Sequence, residues 1–354
     1  MKILHTADIH LKEYGDDRWK TLEELIRIGR QEQVAIFVVC GDLFDKDAAA
    51  EDLRPKIREV FSGTGFKVVL LAGNHDSESY GSGKYFGEDV FILASLNEPF
   101  RYEDVSIWGL PFEAIGAEDV LVRLYSLAGN LAGDKVNILL YHGELLDASF
   151  SRKDFGDEGE GRYMPTKLSY FKGLNLSYVL AGHFHTTFDI RKLENGGYFV
   201  YPGSPLSLTR RETGQRKVNI FEVGSPPKEY LLDSPHFEEI IVELDPFADE
   251  NPLDRIQKRL ECVHPRGKVL LSVTGYVNSE RIGTTEPELA KRIKELATAK
   301  RAEELRVEFA DISAILEDDL FKQFVSRVEQ RNYDEEKRRR LRDLAIRGMA
   351  EARG

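Results

Sequence analysis

Asn74, His75 and Asp76 follow the apolar run 68–71 with only Ala72 and Gly73 between. Packing gives little reason for a strand end to release an amide, an imidazole and a carboxylate together. The same pattern occurs four more times. Asp8 and His10 follow the apolar start of the chain, and Gly41-Asp42 follows 34–40. His142-Gly143 follows 136–141, and Gly182-His183-Phe184-His185 follows 178–181. Each case reads as a short buried strand, a sharp turn and then Asp, Asn or His. Carboxylates, a carboxamide oxygen and imidazoles form a mixed O/N donor set suited to Mn²⁺, Fe or Zn²⁺, and no thiolate joins them. Five of the eight histidines sit in these turns. Taken singly, each turn has a plain explanation as a helix cap or helix start. Five in this order at strand ends point to a metal-ligand constellation.

The elements that must carry these turns alternate. Residues 18–31 space Trp19, Leu22, Leu25, Ile26 and Ile28 at near-helical intervals, and 52–61 is a second helix candidate before the strand 68–71. This alternation predicts a layered α/β domain rather than an all-β one. Further strands are expected at 90–93, 106–111, 198–201, 218–222 and 230–232, with a helix over 117–131. The polar stretch 146–161 reads as a surface loop, and its place between two ligand turns also allows it to face a substrate.

From His236 the character changes. Strands at 238–244, 268–273 and 305–308 alternate with helices at 253–260 and 287–296, a βαβαβ module with no metal motif of its own. After it, 318–332 sets Leu320, Phe321, Phe324, Val325 and Val328 on one helical stripe. Residues 335–352 set Leu341, Leu344 and Ala345 opposite Lys337-Arg338-Arg339-Arg340. Such a tail either folds back on the body or docks on a partner. The expected division is 1–235, 236–312 and 313–354.

A length of 354 residues with 42% hydrophobic content allows one large α/β domain and a smaller one. No apolar run approaches a membrane span, and Met1 leads directly into a strand, so a cytoplasmic protein without a membrane is expected. Cys40 lies in a buried-strand pattern far from Cys262, which suits an inert core thiol. A net charge of −12 argues against a broad basic surface for nucleic acid, although local basic patches and bound divalent ions escape that sum.

HTADIH, GDLFD, GNHD, YHG and GHFH resemble, in order, the motifs of the calcineurin-like metallophosphoesterases. ILHTADIHL, YMPTKL ahead of LSYVLAGHFH, and YPGSPLSLT after it are most similar to the SbcD / meiotic-recombination-eleven type of DNA double-strand-break repair nuclease. The likeness is strong over about residues 1–220 and beyond that lies only in domain order. It implies a layered metallophosphoesterase domain, a β-sheet sandwich flanked by helices, followed by a small α/β capping domain and a helical tail. It implies two divalent ions, expected to be Mn²⁺. Asp8, His10 and His185 would hold one, Asn74, His142 and His183 the other, and Asp42 would bridge them. Two such ions neutralise a phosphate and lower the pKa of a bound water. His75 would be the general acid, with Asp76 the candidate to orient its ring. His5, inside the first strand, reads as a core histidine. The implied partners are DNA, an SbcC-type coiled-coil ATPase that the tail could dock on, and a second copy of the chain.

The sequence departs from the family in two places. Asp45 stands where several of these nucleases carry histidine, and its carboxylate is expected to repel a second phosphate. The basic pairs Arg210-Arg211 and Arg216-Lys217 follow YPGSPLS, and the first pair is the candidate contact to a phosphate backbone. Among rivals, Ser/Thr phosphatases usually continue this motif with Arg-Gly where Lys46-Asp47 stands here. A phosphodiesterase for a smaller nucleotide or other phosphodiester is the alternative enzyme. A metal-free scaffold is the alternative class, though such proteins normally lose ligands, and here every ligand position is filled.

Overall fold

The computed structural model describes residues 1–81, 83–131, 133–148 and 163–353. The chain divides into two compact units, Met1–Phe237 and Glu238–Gly354, so residues 313–354 belong to the second unit. Most of the loop expected at 146–161 lies outside the described residues.

The first unit begins β1 (Lys2–Thr6), α1 (Asp17–Gln31), β2 (Ile36–Cys40), α2 (Asp47–Phe61), β3 (Lys67–Leu71) and β4 (Val90–Ile92). It continues β5 (Phe100–Tyr102), β6 (Val105–Leu110), α3 (Ala117–Ala128), β7 (Val136–His142) and β8 (Tyr178–Gly182). It ends β9 (Asp189–Lys192), β10 (Tyr198–Tyr201), β11 (Lys217–Glu222) and β12 (Glu229–Leu231). These strands form two six-stranded sheets, ordered β12-β11-β1-β2-β3-β4 and β5-β6-β7-β8-β10-β9. Within them β1, β2, β3 and β4 run parallel, as do β6, β7, β8 and β10.

Successive side chains of a strand point to opposite faces, so a strand buried on both sides needs an unbroken apolar run. In β2, Ile36, Val38 and Cys40 enter the core between the sheets, while Phe37 and Val39 pack outward in the core that also holds residues of α1 and α2. In β7, Ile138 and Leu140 face the same inner core, and Leu139 and Tyr141 join the outer one that includes α3. The result is four layers, helix–sheet–sheet–helix. Helix α1 starts where Asp16 accepts from the Trp19 backbone N–H at 2.8 Å, and it buries Trp19, Leu22, Leu25 and Ile26.

Helix α2 begins at Asp47 rather than 52, because alanines at 48–50 favour helix. The short strands β5 and β9 escape a sequence reading: with three and four residues, half of them exposed or nearly so, they show no clear periodicity.

The second unit starts within β13 (His236–Leu244) and continues α4 (Pro252–Glu261), β14 (Gly267–Val277), α5 (Ser279–Ile282), α6 (Glu286–Ala299) and β15 (Glu304–Asp311). It ends with α7 (Ser313–Leu316), α8 (Asp319–Glu329) and α9 (Glu335–Arg353). Its sheet is ordered β13-β14-β15. Ile256 and Leu260 of α4 and Leu289 and Ile293 of α6 share a core with Val242, Leu271 and Val273. The terminal helices pack on this module. Phe321, Ile312, Ile315 and Ile346 form a cluster against which Phe247 and Tyr276 lie. Arg342 sits over the Phe247 ring at 5.0 Å, and Arg339 meets Glu243 at 3.1 Å. Of the stripe expected to anchor a partner, Phe321 and Val328 are buried within the unit and Leu320 is exposed. No described helix is long and apolar enough to cross a membrane.

Phe321→Ala should therefore destabilise the isolated protein, by about 3 kcal/mol on the usual cost of emptying an aromatic core site. Leu320→Ala should stay within about 0.5 kcal/mol of the parent. Urea unfolding of both variants checks this. Equal midpoints would mean that Phe321 is not packed.

Candidate metal centre

The parallel strands β1, β2 and β3 end along one edge of their sheet, and β7 and β8 end likewise in the other. Ligands of parallel α/β sheets gather outside such carboxyl ends. The turns leaving these five strands bring together all seven residues expected as ligands. The sheets are tied here by a direct bond: Nδ1 of His142, at the end of β7, donates to the carbonyl of Cys40, at the end of β2, at 2.9 Å. A carbonyl only accepts, so Nδ1 carries the hydrogen. Nε2 then stands 2.9 Å from Asn74 Oδ1 and 3.4 Å from Asp42 Oδ2. That nitrogen is satisfied by a proton or by a cation shared with those oxygens.

Asp42 occupies the middle. Its Oδ1 accepts from the His75 backbone N–H at 3.0 Å, and its Oδ2 lies 3.6 Å from His10 Nε2 as well as near His142. Asp8 accepts from the His183 backbone N–H at 3.0 and 3.1 Å and lies 3.5 Å from His185 Nε2. The His183 ring lies 5.2 Å from that of His142, centroid to centroid.

Backbone geometry sets these side chains. Of the eight non-glycine residues at positive φ among those described, Asp8, His10, Asp42 and His183 are ligand candidates. Left-handed backbone costs an ordinary residue about 1–2 kcal/mol, so its concentration here is strain held at a functional site. Gly41 makes the turn possible twice over. Its φ is +88°, and a Cβ there would fall inside the His142 ring.

Within 4.8 Å of one another lie donor atoms of Asp8, His10 and His185, of Asp8, Asp42 and His142, and of His10, Asp42 and His75. His10 Nε2 and Asp42 Oδ2 are buried and make no hydrogen bond. Burial disfavours both charged forms, yet the Asp42 carboxylate outweighs it and raises His142 to about 9. Asp8 in the same way raises His185 to about 10. His10, where burial dominates, falls to about 4. Protons are held at His142 and His185 because the carboxylates beside them demand positive charge. Buried, unbonded donor atoms of mixed O/N type around a central carboxylate fit two divalent ions.

Three neighbours behave differently from expectation. Asp76 does not serve as the orienter of His75: its buried carboxylate accepts from the backbone N–H groups of Gly73 (2.9 Å) and Phe44 (3.1 Å) and from the Tyr80 hydroxyl (2.8 Å). Asp76 thus ties together the turns after β2 and β3. It is the main-chain carbonyl of Asp45 that meets His75 Nδ1, at 3.0 Å. The Asp45 carboxylate is held by Arg18 at 2.9 Å and Lys12 at 3.3 Å. Burial pushes its pKa up, but the Arg18 hydrogen bond and charge bring it below the usual value. The basic pair 216–217 also changes role. Arg216 is buried, and its guanidinium donates to the carbonyls of Ser204, Thr186 and His185. Arg210 and Arg211 are exposed on the same loop.

Sequence reading missed Glu212. It is fully buried, with Oε1 3.4 Å from His185 Nδ1. Only its place after YPGSPLSLT, in a run TRRET that looks like surface, could have pointed to it. His5 is a buried strand residue whose Nε2 meets the Ala181 carbonyl at 3.2 Å.

A family model for calcineurin-like phosphoesterases matches residues 1–187, more than half of the chain and every ligand position. The chain belongs to the calcineurin-like phosphoesterases. Among solved structures, it is similar to a dimetal phosphatase from Danio rerio (11% identity, 62% of this chain and 91% of that one, TM-score 0.43). It is also similar to TT1561 of Thermus thermophilus (15%, 61% and 92%, TM-score 0.39). A third is purple acid phosphatase PPD1 from yellow lupin, Lupinus luteus (12%, 67% and 48%, TM-score 0.41). At these scores the likenesses carry no functional argument. The phosphoesterase is a metal-dependent hydrolase, and the strand-end residues described above are its candidate ligands.

Two outcomes follow from this geometry. Metal binding must displace the protons of His142 and His185. Both folded pKa values lie above the unfolded 6.5, so their stabilising effect on the metal-free protein is full below pH 6.5. It is lost as pH rises through about 9 and 10. Metal affinity should rise over the same window, by up to about tenfold per pH unit for each proton displaced. Thermal melts with and without Mn²⁺ from pH 6 to 10 should diverge with rising pH, and parallel curves would contradict this. Asp76→Ala should cost about 3 kcal/mol or more by stranding three donors, seen as a lower melting temperature of the metal-free protein. An unchanged melting temperature would return Asp76 to the role of ring orienter.

Proposed function

We propose that the phosphoesterase is a Mn²⁺-dependent deoxyribonuclease of the SbcD / meiotic-recombination-eleven type. It would act in the cytoplasm in DNA repair together with an SbcC-type coiled-coil ATPase. One observation carries the reading. The YPGSPLSLT segment, whose likeness is to these nucleases in particular, is built into the metal centre. The Ser204 backbone N–H donates to the His185 carbonyl at 3.0 Å, and Arg216 clamps the same turn. A second α/β unit beyond the hydrolase unit supports a polymeric substrate. The exposed Arg210 and Arg211, on the loop that carries Glu212, supply local positive charge for a phosphate backbone. With its stripe half taken up inside the second unit, the ATPase would dock on what stays exposed, including Leu320 and Leu344.

Bound ions supply charge neutralisation and an activated water. The residues of the chain do the rest. Asp42 and Asp8 organise the donors, and the backbone N–H of His75 fixes one oxygen of Asp42. The Asp45 carbonyl keeps hydrogen on His75 Nδ1, so Nε2 is the nitrogen that passes a proton to the leaving oxygen. The acidic surface and the Asp45 carboxylate beside His10 favour a second reading, hydrolysis of a smaller nucleotide phosphodiester.

The test is Mn²⁺-dependent cleavage of single-stranded and hairpin DNA beside bis-p-nitrophenyl phosphate. Cleavage of both classes supports the nuclease, and hydrolysis of the small ester alone supports the second reading. His75→Ala should lower either activity by about 10²–10⁴-fold with metal content nearly unchanged. A variant that loses its metal would make His75 a ligand.

A further inference from the structure

Among the described residues, Glu212 is the buried acidic group that the chemistry above leaves without a task. Its Oε2 accepts from the Leu208 backbone N–H at 2.7 Å and the Ser204 hydroxyl at 2.9 Å. Its Oε1 accepts from the Thr209 hydroxyl at 3.2 Å and faces His185 Nδ1 at 3.4 Å. The other ring nitrogen of His185, Nε2, is on the Asp8 side at 3.5 Å. The imidazole is therefore flanked by one carboxylate on each nitrogen, one from the ligand set and one from a loop 27 residues further along the chain.

We propose that Glu212 is a positioning residue of the metal centre. It holds hydrogen on Nδ1 of His185 and so presents the Nε2 lone pair to the ion that His185 shares with Asp8 and His10. A carboxylate only accepts, so a hydrogen must lie between it and Nδ1. A metal-binding imidazole needs a bare nitrogen, and the partner on its other nitrogen decides which one that is. At 3.4 Å the pair lies just outside hydrogen-bond length, and a shift of about 0.5 Å closes it. Besides His185, only the buried Arg216 guanidinium draws on the charge of Glu212 among the described residues, and it holds its own three carbonyls without it. The donors of Leu208, Ser204 and Thr209 would be served equally by a carboxamide oxygen. The proposal rests on the two-ion reading of the centre and is independent of which phosphodiester is cut.

Glu212→Gln separates a positioning role from a bracing one. The Leu208 N–H is a fixed donor, so the carboxamide oxygen must sit at the Oε2 position. The amide NH₂ then faces His185 Nδ1, which must become an acceptor, and the hydrogen moves to Nε2, where it opposes the metal. The loop keeps its bonds because both hydroxyls can turn. The measurement is Mn²⁺ stoichiometry and affinity by chelator competition on the full chain, wild type beside the variant. The expected result is two ions for wild type. For the variant, one ion should bind with wild-type affinity and one about 10–100-fold more weakly, the usual loss when such a partner is removed.

Two tight ions in a folded Glu212→Gln protein would overturn the proposal and leave the centre standing. A wild-type protein that binds no metal would overturn the centre itself. If Glu212→Gln fails to fold, ¹⁵N imidazole spectra of the zinc-loaded wild type decide without a variant. Hydrogen on Nδ1 and metal on Nε2 of His185 support the proposal, and the reverse overturns it.

Discussion

The bond from His142 Nδ1 to the Cys40 carbonyl is where the two sheets of the hydrolase unit become one site. Each sheet alone carries half a ligand set: Asp8, His10, Asp42 and Asn74 from one, His142, His183 and His185 from the other. Sheets packed face to face are separated by about 10 Å of side chains, too far for one ion to be shared through their centres. At the carboxyl edge the separation closes. Gly41, at the end of β2, has no side chain, so the imidazole of β7 reaches across to the backbone beside it. The inner core of Ile36, Val38, Leu140 and Leu180 sets the distance at which this reach succeeds. Packing below the site thus controls coordination within it.

That arrangement opposes stability. Two buried carboxylates in close company, four residues in left-handed backbone and donor atoms without partners would each favour a different local structure. They persist because groups outside the ligand set hold the turns. Asp76 gathers two backbone N–H groups and a tyrosine hydroxyl, and Arg216 gathers three carbonyls. Asp45 holds His75 by its main chain, while Arg18 and Lys12 occupy its side chain. The second of these pairings changes the meaning of Asp45, since a carboxylate already neutralised by two cations repels a phosphate far less than a bare one.

How much of this is legible in the sequence depends on the range of the interaction. Ligand identity is local: a strand, a turn and a polar residue are written within about ten positions, and all seven candidates meet in the fold. Strand and helix order is also local, and helices 18–31 and 117–131 lie within a few residues of where periodicity puts them. Roles that depend on what arrives from elsewhere are not. Asp76 stands next to His75 in sequence, yet its carboxylate is committed to Gly73 and Tyr80 nearby and to Phe44 of another turn. Glu212 follows Arg210 and Arg211 and reads as surface, although it is buried beside a ligand candidate. The tail stripe reads equally well as a partner anchor or as core, and only the arrival of Tyr276 and Phe247 puts Phe321 and its neighbours in a core while Leu320 stays exposed.

Charge ties the site to its substrate class. The chain carries −12 overall, and at physiological ionic strength fields from distant surface charges fade within about 8 Å. A phosphate ester approaching the centre therefore responds to what is near, and what is near without metal is Asp8 and Asp42, since Arg18 and Lys12 offset Asp45. The imidazoles offset them only while protonated, in a state that blocks coordination. Divalent ions would reverse the local sign without requiring any basic residue at the ligand positions. Metal loading would then bear on whether an anion is held there as well as on whether it is cut.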